Sequence, residues 1–376
     1  MAGMNQIEKN RRLLMLCSMG SSFPWAIFKS FRTFMNLVPL ALSLSLACTA
    51  RRELSASINP PHKTAAHQTK VRELTLDPPE AISLLGKPLR VRVEDQEFPK
   101  LRQDLMNAQA ALSADPTNPE KIVWVGRRLG YLWRMQEAIE VYSDGIAKFP
   151  NYAPLYRHRG HRYISIRQFE KAVVDLEKAV KLTQGKPDDV EQDGQPNAEN
   201  LPLTTLGFNV WYHLGVAQFL LGHDPKALQT FQETMKFTRG YDDNVVAVTD
   251  WMVLVLQRMG RHEEANALLQ PIHPKMRIIE NMSYHKRLLM YKGLIQPDDL
   301  LRGEKEETLD FATLGFGVGF WCLHHGQPVT GRRILEQVVN GPHWPAFGHI
   351  AAEVELTKER LRDQPTLPMK KPDQGR

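Results

Sequence analysis

Two stretches of this chain lie over each other at an offset of 34 residues. When the segment from Pro119 to Pro150 is aligned with the one starting at Ala153, Gly126 falls on Gly160. Ala138 then falls on Ala172, Tyr142 on Leu176 and Gly145 on Ala179. A period of this length marks a repeat array, in which one unit cannot bury its apolar face alone and must stack on its neighbours. Composition permits such a core: 42% of residues are hydrophobic and 24% charged, which excludes a globally disordered chain. Almost no strand signal competes with the period.

The pattern resembles the tetratricopeptide (TPR) repeat, with Pro150 at the end-of-unit proline position. The resemblance implies an all-α fold, an α-solenoid of stacked antiparallel helix pairs. Small residues at Gly126 and Gly160, and at Ala138 and Ala172, would let the paired helices approach, and Tyr142 and Leu176 would fill the space between them. The third unit is the fullest match, with Trp211, Leu214, Gly215, Ala227 and Phe231 at the motif's spacing. Between Ala172 and Ala227 the chain carries about 21 residues too many for a 34-residue period. The excess falls in 185–206, an acidic, proline-bearing, non-periodic stretch that reads as a surface insertion. A fourth unit is marked by Gly260, Ala265 and Leu269. A fifth is marked by Gly326 and Leu335, with Gly331 where alanine is expected. The units are thus expected near 119–152, 153–186, 208–241, 246–279 and 312–345, within a helical domain spanning 99–362. A helix over Leu105 to Ala114 and another over Ala346 to Leu361 would cap the array.

The N-terminus reads as targeting. Residues 34–47, FMNLVPLALSLSLA, form an uncharged apolar run preceded by Lys29 and Arg32. It is shorter than the roughly 20 apolar residues that span a bilayer. Two processing routes stay open: cleavage near Ala47 or Ala50, or lipidation of Cys48, since Leu44 to Cys48 resembles a lipobox with Ser45 departing from it. Residues 1–50 are read as the signal segment, 51–98 as a flexible linker and 363–376 as a disordered tail. Charge agrees with targeting. Of the formal net +6, the residues before Cys48 carry five basic side chains against Glu8 alone. The remainder is nearly balanced, which argues against nucleic acid as a partner. Cys17, Cys48 and Cys322 match no metal or redox spacing, and Cys322 in its apolar run reads as buried.

A second resemblance, to exported bacterial TPR proteins, rests on Tyr241-Asp242-Asp243, Trp251, Arg258 to Arg261, Ile278 to His285, Leu288 to Gly293 and Trp344 to Glu355. It implies a periplasmic or membrane-anchored location and no enzymatic activity. In TPR proteins the first helix of each unit lines a concave face. Carried onto this alignment, the groove positions are Arg127, Tyr131, Arg157, His161, Asn209, Tyr212, Phe219, Asp250 and Gln257. Arg127 with Arg157 would favour an acidic or carboxylate-terminated peptide, and Tyr212 and Phe219 would add apolar anchors. The partner expected is therefore a protein or peptide, with the membrane reached only through the N-terminal segment, and no cofactor or metal is expected.

Other chemistry is thinly supported. His158 and His161 could face one metal, but no third ligand is tied to them. His324 and His325 diverge by about 100° on a helix. Asp242-Asp243 and Asp298-Asp299 read as helix starts. Gly315, Gly317 and Gly319 follow no strand, so a dinucleotide site is not indicated. Tyr284 beside His285 could line a pocket. That pair is the one place where an enzymatic alternative to a binding scaffold would sit.

Overall fold

The computed structural model describes residues 78–92 and 95–362. The signal segment with Cys48, the linker up to residue 77 and the tail from 363 lie outside the described residues. Helix α1 (Phe98–Ala114) precedes the array. Consecutive antiparallel pairs follow: α2 (Pro119–Tyr131) with α3 (Met135–Lys148), α4 (Ala153–Ser165) with α5 (Phe169–Thr183), and α6 (Leu206–Leu220) with α7 (Asp224–Thr234). Next come α8 (Asp242–Arg258) with α9 (His262–Leu269), α10 (Met282–Tyr291) with the short α11 (Pro297–Leu301), and α12 (Leu309–His324) with α13 (Pro328–Asn340). Helix α14 (Phe347–Arg362) ends the described chain and packs on α12 and α13. The fold is an all-α solenoid of stacked helix pairs.

Three of the helices, α2, α6 and α12, begin where a side chain satisfies a first-turn amide. Asn118 accepts from the Glu120 amide, Thr205 from Phe208 and Thr308 from Phe311. The glycine–large-residue pairs of the repeat meet across each pair. A Cβ at Gly126 would lie 2.3 Å from the Tyr142 ring, one at Gly160 2.8 Å from Leu176, and one at Gly215 2.6 Å from Phe231. Gly319 repeats the device against Leu335 at 2.6 Å, so Gly315, Gly317 and Gly319 belong to the interior of α12. The pair α10 and α11 was not foreseen. It occupies the stretch between the fourth and fifth expected units, with α10 packed between α8 and α12.

The linker expectation needs correcting at its end. Residues 81–89 form a small antiparallel hairpin, β1 (Ala81–Ile82) with β2 (Pro88–Leu89), docked on the helical array. Buried Leu89 packs with Met135, Ile139, Ile166 and Trp344. The Gln136 amide donates to Glu80, the Leu84 amide to Glu353 at 3.0 Å, and Trp344 Nε1 to the Arg90 carbonyl at 2.8 Å. Short alternation of this kind is invisible beside two proline pairs in sequence.

These contacts join the first units of the array to its last helix. The turns inside the third, fourth and fifth units place Gly222, Gly260 and Gly326 at positive φ, as glycine readily permits. In the first two units the same place is held by Trp133 (φ 58°) and Arg167 (φ 64°). A left-handed non-glycine residue costs about 1 kcal/mol or more, and both side chains are used. Trp133 packs edge-on to Trp344, centroids 5.7 Å apart. Buried Arg167 pairs with Glu353 of α14 through two nitrogens, at 3.0 and 2.5 Å.

Candidate functional site

The nine groove positions divide into two sets. On the first two units, Arg127, Tyr131 and Arg157 line a cradle whose occupant is the chain's own insertion, whereas His161 is met by His213 and by Phe347 of α14. The Arg127 guanidinium stacks on Trp124, 4.4 Å from the ring centroid, and its Nη1 donates to the Gln192 carbonyl at 2.8 Å. Neighbouring Arg128 donates to the Gly194 carbonyl at 2.7 Å and lies 3.5 Å from Asp104. Arg157 pairs with the Glu191 carboxylate at 3.0 Å. His158 sits 3.5 Å from the same carboxylate oxygen and stacks on Tyr142. Tyr131 closes on the tip so tightly that a Cβ at Gly194 would fall 1.8 Å from its hydroxyl.

The insertion is seated by its geometry as well as its charge. Its two ends pair as an isolated antiparallel bridge, Val190 with Thr205, and the Glu191 amide donates to the Thr204 carbonyl. Asp188 accepts from the Gly207 amide at the start of α6, an acid at a helix N-terminus. Loops whose ends lie together and whose interior packs on itself are compact Ω-type segments. The far side is tied down by Asn197 to Glu280 and by Glu199 to Arg277, each at 2.5 Å. A cavity of about 360 Å³ remains beside it, lined by Glu120, Arg127, Tyr152, His158, Val190 and Glu191.

Electrostatics in the cradle follow from burial. Arg157 and Arg162 are pulled below the usual arginine value by desolvation, and His158 is held well below the usual histidine value by desolvation and then by Arg157. His161 and His213, 4.4 Å apart between ring centroids, are lowered the same way. All three histidines are therefore neutral near pH 7. His213 Nδ1 lies 2.6 Å from the Asn209 carbonyl, so that nitrogen carries the proton. Burial pushes the Asp193 carboxyl up to about 6.

The remaining five positions are not groove wall, and the expectation of an open face there is corrected. Asn209 bonds Thr204 within the insertion's base. Tyr212 accepts from Trp251 Nε1 at 2.8 Å, and its hydroxyl meets that of Tyr284 at 3.5 Å. Phe219 is fully buried against Trp251, with the Arg258 guanidinium 3.7 Å from its ring centroid. Asp250 pairs with Arg287 of α10 at 2.8 Å in complete burial, and desolvation still raises its carboxyl to about 7. Gln257 holds His262. The cause is tertiary: α10 and α14 cover this half of the concave side, with Phe347 of α14 against His161 and His213. Helix α6 is buried on nearly all of its surface, the mark of a helix enclosed on every side.

Tyr284 and His285 do not share a pocket. The tyrosine faces Tyr212, whereas buried His285 points Nε2 at the His273 carbonyl, 3.0 Å away. Asp243 is more than a helix start. Its carboxylate accepts from the amides of Ile279, Glu280 and Asn281, so the Tyr241–Asp243 and Ile278–His285 motifs meet in space. Cys322 is buried. Among the described residues no group of three His, Cys, Asp or Glu is placed to hold a metal ion, and no helix is long and apolar enough to cross a membrane.

No protein-family model matches the chain. No curated protein matches it either. Solved structures similar to it include YrrB, a TPR protein with an unusual peptide-binding site, at 13% identity, 67% of this chain, 97% of that one and a TM-score of 0.34. A tetratricopeptide repeat protein from Parabacteroides merdae ATCC 43184 is 13% identical over 70% of this chain and 94% of its own, with a TM-score of 0.42. Cut9, in its anaphase-promoting-complex hetero-tetramer with Hcn1, is 13% identical over 70% of this chain and 47% of its own, also at 0.42.

Proposed function

We propose that this chain is a protein-interaction scaffold of the cell envelope that takes an acidic, extended segment of a partner onto the arginine cradle of its first two units, without catalysis. One observation carries the reading. Arg127, Arg128 and Arg157 hold an acidic segment by two main-chain carbonyls and one carboxylate. That is how a peptide is recognised when the main chain supplies register and a bidentate-capable cation selects the charge. The envelope location rests on the sequence alone, on the apolar run before Cys48 and its flanking Lys29 and Arg32. Whether Cys48 bears a lipid or the segment is cleaved is part of the proposal's test.

The experiment is capture from a detergent-solubilised membrane fraction, using wild type and an Arg127→Glu/Arg128→Glu variant of matched helicity, with mass spectrometry of bait and partners. The reading expects a reproducible partner that the double variant loses, on a bait beginning at or near residue 48. Retention of every partner by the variant would remove the cradle from the function. A bait recovered from the soluble cytoplasm with residues 1–47 intact would remove the envelope.

A further inference from the structure

Resting on that reading, we infer that the insertion is a built-in ligand: residues 191–197 occupy the cradle in cis, and a partner's acidic segment binds by exchanging with them. The charge distribution argues for it. The helical array brings Arg127, Arg128 and Arg157 to one face, where it pairs Arg128 with Asp104 at 3.5 Å. The insertion brings Glu191 to Arg157 and main-chain carbonyls to the other two. Its charge is thus complementary to the wall it lies on rather than to solvent.

The segment is also built to leave without unfolding its base. Its anchor is Val190 with Thr205 and buried Leu203, whose carbonyl accepts from Asn244. Its occupying part touches the array through polar bonds and, at buried Gly194, through the Tyr131 side chain, while Gln192, Gln195 and Pro196 are exposed. The contact is incompletely satisfied: the buried Arg157 Nε and Glu191 Oε2 have no hydrogen-bond partner, so a better-fitting carboxylate has something to gain. The cavity of about 360 Å³ beside Arg127 and Glu191 offers an incoming chain a foothold before the tip departs. Because the loop is tethered, it competes at an effective concentration on the order of millimolar, and a free peptide must overcome that.

The test uses a fluorescent synthetic peptide of residues 186–202 as the acidic probe, with fluorescence anisotropy at low salt. Its targets are the full chain and a variant with 191–199 replaced by glycine and serine at equal length, which leaves the Val190–Thr205 base intact. Exchange predicts at least tenfold tighter binding to the variant, lost on adding Arg127→Ala, together with faster amide exchange at 191–197 in the wild-type chain when probe is in excess. Glu191→Gln in the full chain, which keeps the insertion, should give an intermediate affinity, so a poorly folded replacement leaves the idea testable. Equal affinity for all three proteins, or no binding to any, overturns it. If the probe fails but partner capture still depends on Arg127 and Arg128, the exchange is wrong and the scaffold reading stands. If the probe binds as expected but capture ignores the arginines, the cis contact stands and the scaffold reading falls.

Discussion

The two halves of the concave side began from the same repeat and ended in different physical states. Over α2 and α4 the covering element is a polar insertion, held by arginines to carbonyls and one carboxylate, with a cavity of about 360 Å³ beside it. Over α6 and α8 the covering elements are helices, and the former groove positions have become core: Phe219 against Trp251, Tyr212 under Trp251 Nε1, Asp250 sealed with Arg287. A repeat face remains a recognition surface only while its cover is polar and tethered. Once an amphipathic helix lies on it, the same positions contribute to stability.

The contrast is broken most severely in the sealed half. Arg287→Ala leaves the Asp250 carboxylate buried without a counter-charge, a loss of about 3–5 kcal/mol, and Phe219→Ala should cost a similar amount. Thermal unfolding should fall by about 10 °C in either case. A shift of only a few degrees would mean that water reaches this half too. Glu353→Gln comes next. It removes the charge shared by Arg167 and His349, whose Nε2 lies 3.2 Å away, and should cost about 3 kcal/mol while loosening the hairpin, visible as faster amide exchange at 80–89. Retained protection there would show that the apolar Leu89–Trp344 contact closes the array unaided.

Acid should sharpen the comparison. His158, His161 and His213 have depressed folded pKa values, so the unfolded chain binds their protons first. Stability is full above the ordinary histidine value and declines as pH falls below about 6.5, by up to about 1.4 kcal/mol per pH unit for each group. Asp250, raised to about 7, acts with the opposite sign: the folded state takes its proton first, and stability rises as pH falls from 7 toward 4. His343 and His349 are lowered as well, so five histidines stand against the raised carboxyls of Glu80, Asp193 and Asp250, and the urea midpoint should drop between pH 7.5 and 5.5. His213→Gln should flatten that drop, and a midpoint that rises would show that the histidines already carry protons in the folded chain. The smallest effect belongs to the cradle. Glu191→Gln should cost less than about 1 kcal/mol, because water can reach Arg157 once the tip lifts. A cost near that of Arg287→Ala would make the insertion core rather than cover.

Much of the helical pairing was legible because it depends on local sizes. Gly126 with Tyr142, Gly160 with Leu176 and Gly215 with Phe231 state their own contacts once the period is seen. The candidate site was legible in part. Arg127, Tyr131, Arg157 and His161 were placed on the concave side, but nothing in their positions revealed that Gln192, Gly194 and Glu191 would meet the first three and Phe347 the fourth. Asn209, Tyr212, Phe219, Asp250 and Gln257 were misread for the same reason: alignment to an open array assigns a facing direction, not what lies opposite. Trp133 and Arg167, which bring in Trp344 and Glu353, offered one overlooked signal, since large residues stand where later units have glycine.

By itself, then, the sequence determined the repeat period, the helix pairs of the five expected units, the small-to-large contacts in the clearest of them and the excess length between the second and third units, all of them set by near neighbours in the chain. The tertiary structure alone decided that α14 and the 81–89 hairpin close the first units onto the last, that α10 seals Asp250, and that the insertion lies on the arginines. Those contacts join residues up to 269 positions apart, as between Leu84 and Glu353. Their existence depends on how small rotations between successive pairs accumulate along the array, a quantity that no single unit of the sequence encodes.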